Sequence, residues 1–442
     1  MAILIITVSI VFLQIYQNIR GNAIFVSRRP HRFLLTAFAA LSCLSAAAQP
    51  GRQPVNPNGP FRVKIGECAH GCITVTPGVN PETGTEFPKG TVLHVHATPE
   101  VGYAFECGYK AQRGMFAFYT EYPDASFDVV VDGDISVGAS FVDPVELEGY
   151  RCIPDIVYAK PGVKPLKYDA FIPDGAKKLP GIVIIHGGGW QMNCEDVMKG
   201  LARALVRDGK YVAFSIDYRW IGTRDGDATP NTMNQLIEDC YGAILHIREH
   251  AAEYGLDPNR LAVTGDSAGG HLCASVATMV ERIGDGGFGL RPGVFEYRPT
   301  YLPAGMSAKK ARRVLHRSIR ACAPNYGIFS AKSIDRFVRD LEGDEARAAV
   351  SPLDNIPKAS KRRIPHWLNR GTEDRTVDDA SNREYTEALQ AAGQRAEYVL
   401  VPGASHAYYD WKPDSATKET FERFGRPYAR QMEDFFNSVF YK

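Results

Sequence analysis

The sequence lacks a charge excess of either sign. Lys and Arg number 51 and Asp and Glu 50, which gives a formal net charge of +1 at pH 7. This balance excludes the basic footprint that a nucleic-acid-binding protein needs. Apolar residues make up 45% and charged residues 23% of the 442 residues, as in soluble globular proteins, so neither wholesale disorder nor a protein with many membrane spans is indicated. The length suits two or three domains.

The apolar run at the N-terminus is too short to cross a bilayer, because residues 1–16 fall below the ~20 that are needed. A secretory signal pattern follows it, with arginines at positions 28, 29 and 32, an apolar run over 33–44 and small residues at 46–48. We therefore expect residues 1–48 to be a targeting segment, with translation starting near Val26 and cleavage after Ala48. The protein would then be secreted, periplasmic or on the surface of a bacterial cell. An uncleaved anchor is the alternative, and Cys43 does not fit a lipobox.

No second pair of ligands accompanies Cys68-x3-Cys72, in which His70 lies between the two cysteines. A zinc site is therefore not expected there. Export would permit disulfides, so a disulfide or two buried thiols are the alternatives for this pair. We expect no metal and no cofactor.

Residues 49–60 are rich in Pro, Gly and Asn and indicate a linker, and residues 61–142 lack helical periodicity. Short β-prone runs alternate with turns there, which predicts a small all-β module. The stretches GTVLHVHATPEVGYAF and FDVVVDGDISVGASF resemble the divergent bacterial surface repeat of the Listeria and Bacteroides type. That resemblance implies a spacer, or a unit that contacts a cell surface or a glycan. We expect His94 and His96 to share a solvated strand face.

From residue 143 to 442, apolar strands alternate with helices, as in LPGIVIIHGGGW, KYVAFSIDY and NRLAVTG. This alternation predicts an α/β domain with a doubly wound, mostly parallel sheet that helices cover on both faces.

The motif Gly265-Asp266-Ser267-Ala268-Gly269 follows one of these strands and opens a helix. A G-x-S-x-G sequence in that context is typical of a nucleophile elbow, in which the glycines make room for a strained turn. Upstream, HGGGW at residues 186–190 ends another strand, and backbone N–H groups there could bind an oxyanion together with that of Ala268. The sequence therefore predicts Ser267 as a nucleophile.

A nucleophilic serine needs a histidine base and an acid that orients it, in the chain order Ser, acid, His for this fold. His406 is the one histidine after Asp374. In NRGTEDRTVDD, Asp374 follows a strand directly, Glu373 is the weaker rival, and residues 378 and 379 suit the first turn of a helix. We expect His271 and His366 to be structural.

The segments HGGGW, GLDPNRLAVTGDSAGGHL, SPLDNI, GTEDRTV and YTEALQAAGQRAEYVLVPGASH resemble the α/β-hydrolase esterases related to hormone-sensitive lipase, in particular the bacterial feruloyl and acetyl-xylan esterase-like branch. The resemblance implies a triad of Ser267, Asp374 and His406. It also implies oxyanion donors at Gly188, Gly189 and Ala268. We expect a secreted serine carboxylesterase that removes acetyl or feruloyl groups from plant-type polysaccharide. The alternatives are a serine peptidase of the prolyl-oligopeptidase type and a catalytically silent surface or adhesion protein.

Three further expectations concern the surroundings of this site. The insertion 282–317 is expected to cover it, and the basic run between Lys309 and Arg317 to form a solvated helix face. The aromatic residues Tyr408, Tyr409 and Trp411 either stack on a sugar or acyl group or belong to the core.

Because no chemistry is assigned to the β module, a protein truncated to begin near residue 143 is expected to fold and to hydrolyse a small ester.

Overall fold

The computed structural model describes residues 59–112 and 118–441. The expected targeting segment, the translation start, Cys43 and most of the linker lie outside these residues. Among the described residues, no helix combines the length and apolar character that a membrane span requires.

The N-terminal module consists of two β-sheets in which most neighbouring strands are antiparallel. The strands are β1 (Phe61–Ile65), β2 (Gly71–Thr76), β3 (Thr85–Phe87), β4 (Val92–Pro99), β5 (Ala104–Gln112), β6 (Phe118–Tyr122), β7 (Ser126–Val130) and β8 (Ile135–Val142). One sheet has the order β3-β1-β8-β5-β6 and the other β2-β4-β7. Alternate residues of β4 are buried, so that Leu93 and Val95 join the module core while His94 and His96 face solvent. His94 Nδ1 lies 2.7 Å from Asp128 Oδ1 on the neighbouring strand.

An eight-stranded sheet forms the centre of the C-terminal domain. Its strands are β9 (Tyr150–Ala159), β10 (Leu166–Pro173), β11 (Leu179–Ile185), β12 (Val212–Ile216), β13 (Leu256–Asp266), β14 (Ile319–Asn325), β15 (His366–Gly371) and β16 (Ala396–Val401). The order is β16-β15-β14-β13-β11-β12-β10-β9, and the strands from β12 to β16 pair in parallel. Strands β9 and β10 are antiparallel. The predicted doubly wound, mostly parallel architecture is confirmed.

Helices cover both faces of this sheet. They are α1 (Lys199–Val206), α2 (Met233–Glu249), α3 (Ala268–Thr278), α4 (Ala308–Ser318), α5 (Ala331–Ile334), α6 (Asp344–Ala349), α7 (Asp379–Ala391), α8 (Ser415–Thr420) and α9 (Arg426–Phe440). Alternate residues of β12 point to opposite faces: Val212 and Phe214 belong to the core under α2, and Ala213 to the core under α1 and α9. The C-terminal helical pattern is divided by a π-helical turn at Phe421–Gly425.

The insertion 282–317 packs along α2. Arg298 donates its backbone N–H to Glu238 Oε1 at 2.8 Å, and the Tyr301 hydroxyl donates to Glu249. Phe337, which lies outside this insertion, has its ring centroid 6.1 Å from that of Trp190 in the HGGGW loop.

The described cysteines, from Cys68 to Cys322, are free thiols, and the predicted alternative of a Cys68–Cys72 disulfide is not formed. Within residues 59–112 and 118–441, no group of three or more His, Cys, Asp or Glu side chains is arranged to hold a metal ion.

Candidate active site

Ser267 lies on a strained turn between β13 and α3. Its φ of 52° and ψ of −116° fall outside the regions that L-residues normally adopt. A Cβ atom at Gly269 would lie 1.9 Å from the carbonyl oxygen of Ile185, and one at Gly265 would lie 2.4 Å from that of Gly269. Both flanking positions therefore require glycine, and the turn directs the serine away from the end of the strand.

The structure brings Ser267, His406 and Asp374 together from three separate loops. His406 Nε2 lies 2.9 Å from Ser267 Oγ, and His406 Nδ1 lies 2.7 Å from Asp374 Oδ2. Asp374 follows β15 and His406 follows β16, which are adjacent parallel strands, so their carboxyl ends meet at one edge of the sheet. Glu373, the weaker candidate acid, is exposed and makes no described contact with the histidine. Asp378 is the N-cap of α7, as its place in the sequence suggested.

The loop that carries Asp374 is fixed from both sides. Asp374 Oδ1 accepts the backbone N–H groups of Thr376 and Val377 at 2.8 and 3.0 Å. The buried guanidinium of Arg370 donates to the carbonyl oxygens of Gly371, Asp374 and Val377 at 2.9, 2.5 and 2.7 Å. Burial alone would raise the pKa of Asp374, but the bonds from His406 and the two backbone N–H groups outweigh it and hold that pKa below its usual value. Asp374 therefore stays ionised, as an acid that orients a histidine must.

The HGGGW loop presents backbone N–H groups beside this turn. Gly187 donates its N–H to Asp266 Oδ1 at 2.6 Å, which fastens the loop to the elbow. Gly188 has a φ of 115°, and a Cβ atom there would lie 2.3 Å from the carbonyl oxygen of Met192. Among the described residues, no acceptor takes the N–H of Gly188, Gly189 or Ala268. These three donors remain available to a negatively charged oxygen.

His271 and His366, which were expected to be structural, are both buried. His271 Nδ1 accepts the indole N–H of Trp190 at 3.1 Å, and its Nε2–H donates to the carbonyl oxygen of Val350 at 2.8 Å. Burial lowers the pKa of His271 to about 4, so the ring is neutral and can accept that bond. His366 Nδ1 donates to the carbonyl oxygen of Ile364 at 2.7 Å.

The aromatic residues after His406 belong to the core and not to a sugar-stacking surface. Tyr408 and Tyr409 are 0% exposed and Trp411 is 3% exposed. The Tyr408 hydroxyl donates to Asn369 Oδ1 at 2.5 Å, while the Asn369 amide donates to the Tyr409 hydroxyl at 2.8 Å. Of the two alternatives for these residues, the structure selects the core.

Sequence reasoning missed two residues that hold the site together. Asp266 has a recognisable signal, because it stands inside the G-x-S-x-G motif and its carboxylate meets the HGGGW loop. Arg370 has no recognisable signal in the sequence, since its hydrogen bonds to carbonyl groups depend on the path of the loop that follows it.

The sheet, the elbow and the hydrogen-bonded Ser–His–Asp arrangement define a protein of the α/β-hydrolase class. Residues 182–410 match the model of the alpha/beta hydrolase fold family, and the chain belongs to this family.

Two curated relatives from Mycobacterium tuberculosis are similar to this chain. Carboxylic ester hydrolase LipN is 27% identical over 241 residues, which are 53% of this chain and 59% of LipN. Carboxylesterase NlhH is 34% identical over 140 residues, which are 32% of this chain and 38% of NlhH. The chain thus spans little more than half the length of LipN and less of NlhH. A solved structure described as a truncated form of a carbohydrate esterase from gut microbiota shares the fold, with a TM-score of 0.50 and 19% identity over 67% of this chain and 98% of that chain.

Proposed function

We propose that this protein is a serine carboxylesterase. The observation that carries the proposal is the continuous hydrogen-bonded chain from Ser267 Oγ through His406 to Asp374, at 2.9 and 2.7 Å. The names of the similar proteins LipN and NlhH, carboxylic ester hydrolase and carboxylesterase, support the same reaction class.

The geometry suits acyl transfer in two steps. As Ser267 Oγ attacks the ester carbonyl carbon, His406 Nε2 takes the serine proton, and Asp374 stabilises the resulting imidazolium. When the tetrahedral intermediate collapses, the ester C–O bond breaks and the alcohol leaves with the proton from His406. A water molecule, activated by His406, then releases the acid from the acyl-serine. The N–H groups of Gly188, Gly189 and Ala268 stabilise the oxyanion in both steps.

The proposed substrates are acetyl or feruloyl esters on a plant-type polysaccharide. The support is the resemblance of HGGGW, GDSAGGH, GTEDRTV and the segment ending in GASH to esterases of the feruloyl and acetyl-xylan type. We also propose that the chain is exported through the pattern in residues 26–48. N-terminal sequencing of the mature protein should then give Gln49 as the first residue, and an N-terminus upstream of Gln49 would contradict this cleavage.

Labelling and a substrate panel test the proposed function. A fluorophosphonate probe should label the full-length protein and leave Ser267→Ala unlabelled, since the probe reacts with an activated serine. The panel comprises 4-nitrophenyl acetate, methyl ferulate, acetylated xylan and aminoacyl amides. We expect hydrolysis of the esters and not of the amides. Cleavage of the amides alone would indicate a peptidase, and the absence of labelling would indicate a silent hydrolase domain.

A further inference from the structure

A cavity of about 640 Å³ lies between the β module and the C-terminal domain. Strand β6 of the module forms one wall, with the aromatic rings of Phe118, Tyr119 and Tyr122. The opposite wall comes from β10 and from the segment that follows the HGGGW loop. The volume falls within the range of small-molecule binding sites, roughly 300–1,000 Å³.

Buried carboxyl groups line the wall on the C-terminal domain. Asp169 is 6% exposed, Glu195 4% and Asp217 2%. Asp217 accepts from Lys164 Nζ at 2.8 Å, and Asp169 Oδ1 accepts the backbone N–H of Asp155 at 2.9 Å. No other described residue donates a hydrogen bond to the carboxyl group of Glu195, and burial raises the pKa of this group well above its usual value. The carboxyl is therefore protonated near neutral pH, and it can donate a hydrogen bond to a ligand as well as accept one.

Cationic and aromatic groups complete the lining. Lys164 and Lys167 lie in the same cavity, and Lys167 Nζ donates to Asp155 Oδ1 at 2.6 Å. The lining therefore contains both hydrogen-bond donors and hydrogen-bond acceptors. A simple anion would be repelled by the carboxylates of Asp217 and Asp155, and a simple cation would be repelled by the two lysines that pair with them. Saccharide hydroxyl groups both donate and accept hydrogen bonds, and the C–H faces of a sugar ring pack on aromatic side chains such as Tyr122 and Phe118.

The cavity is connected to the proposed oxyanion loop through named contacts. Asp217, in its wall, lies 3.2 Å from Nε2 of His186, the residue that begins the HGGGW loop. Cys194 and Glu195 follow Asn193, whose side-chain amide lies 3.5 Å from the carbonyl oxygen of Gly187. The same short segment therefore borders both the cavity and the loop.

We propose that this cavity binds one or more saccharide units of the ester substrate, with the carboxyl groups of Glu195 and Asp169 as hydrogen-bond partners and β6 as the stacking wall. This inference rests on the proposed function, because it assigns the glycan part of the substrate to a site shared between the module and the C-terminal domain.

Calorimetric titration of xylotetraose into the full-length protein tests the site without requiring activity. We expect saturable binding that Glu195→Gln and Asp169→Asn each weaken by about tenfold, which corresponds to losing one hydrogen bond. The matched control Glu384→Gln, on the exposed face of α7, should bind as the wild type does. Thermal unfolding of each variant separates lost binding from lost folding, and two variants at separate positions guard against one that fails to fold.

Steady-state kinetics provide a second test of the proposed saccharide site. For acetylated xylotetraose, kcat/KM should fall by about tenfold in both cavity variants, while 4-nitrophenyl acetate, which lacks a glycan, should be hydrolysed within about twofold of wild type. An undetectable affinity for xylotetraose in the wild type, or equal affinity in all variants, would overturn the assignment of the cavity. Failure of the wild type to react with the fluorophosphonate or with any ester would overturn the proposed function instead, and the titration would still decide the cavity.

Discussion

The replacement of Glu106 by glutamine should destabilise the whole protein, although Glu106 belongs to the β module. Its side chain is fully buried against the C-terminal domain, where it accepts from Arg203 and Lys418 and from the indole N–H of Trp411 at 2.7 Å. Ser140 donates to its second oxygen at 2.5 Å. Burial would raise the pKa of Glu106, but the surrounding cations outweigh it and hold that pKa well below its usual value. The carboxylate is therefore ionised in the folded protein.

The magnitude follows from the cations that the substitution leaves without a carboxylate partner. Lys199 keeps its ion pair with Glu121, whereas Arg203 and Lys418 have no other carboxylate partner among the described residues. The Arg203 side chain is only 8% exposed, so its charge would be left in a poorly solvated place. Removing one partner of a buried ion pair costs about 3–5 kcal/mol, which is a large part of a typical total stability of about 5–15 kcal/mol.

Urea unfolding followed by tryptophan fluorescence measures this loss. At pH 7, Glu106→Gln should lower the free energy of unfolding by about 3–5 kcal/mol. Glu86→Gln, in the same module, is the control, because Glu86 forms an exposed ion pair with Arg62 that contributes about 0–1 kcal/mol. Since the pKa of Glu106 is lowered by folding, its contribution is present above the unfolded value of about 4.5 and is lost as the pH falls through the folded value. A loss no larger than that of the control, or a loss that does not shrink on acidification, would refute this reasoning.

The contacts of Glu106 also change what we expect of a protein that is truncated to begin near residue 143. A protein that begins near residue 143 would lack Glu106, as well as the Tyr119 hydroxyl, which donates to Asp414 at 3.2 Å. Arg203 and Lys418 would then lose their buried carboxylate. The structure therefore leads us to expect an unstable truncated protein, although no chemistry is assigned to the removed module. The boundary between the two domains remains a prediction.

Three further predictions concern the site and its pH dependence. Asp374→Asn should lower kcat/KM by about 10⁴-fold, as loss of the orienting carboxylate does in serine hydrolases, while the exposed Glu373→Gln should change it less than twofold; the reverse order would move the acid to Glu373. Arg370→Lys should lower kcat more than it raises KM, because a lysine cannot bond three carbonyl groups at once, and an unchanged kcat would exclude a positioning role. Burial raises the pKa of Glu238 to about 7, so the free energy of unfolding should fall as the pH rises from about 4.5 to 7; Glu238→Gln should flatten this slope, and an unaltered slope would assign it to other groups.

Much of the candidate site could be predicted from the sequence, because its residues stand at fixed places relative to strands. Ser267 follows β13 inside a motif whose glycines are required by contacts shorter than 3 Å. Asp374 and His406 each follow a parallel strand, and the register of β15 with β16 brings their loops together. Hydrophobic periodicity and turn residues are local signals, and the strands and turns that they predict are present in the folded protein.

The supporting residues could not be predicted, because their partners are distant in sequence. Arg370 binds three carbonyl oxygens whose positions depend on the fold of the loop. The choice between core and sugar-stacking roles for Tyr408 and Tyr409 depends on what packs over them, which no local pattern specifies. In the sequence, the insertion 282–317 is recognisable only because it interrupts the alternation of strands and helices. Its packing in the structure shows that it lies along α2.

Glu106 shows most clearly that dividing the sequence into a β module and a C-terminal domain misses the contacts between them. A glutamate in a strand of the module suggests a solvent-facing position. The structure instead directs that side chain into the C-terminal domain, against the indole of Trp411, five positions after His406. A buried charge is unfavourable without its partners, so this contact makes the module and the His406 loop stabilise each other. The module is thereby a structural part of the domain that holds the Ser–His–Asp arrangement, and the cavity between them is a consequence of that packing.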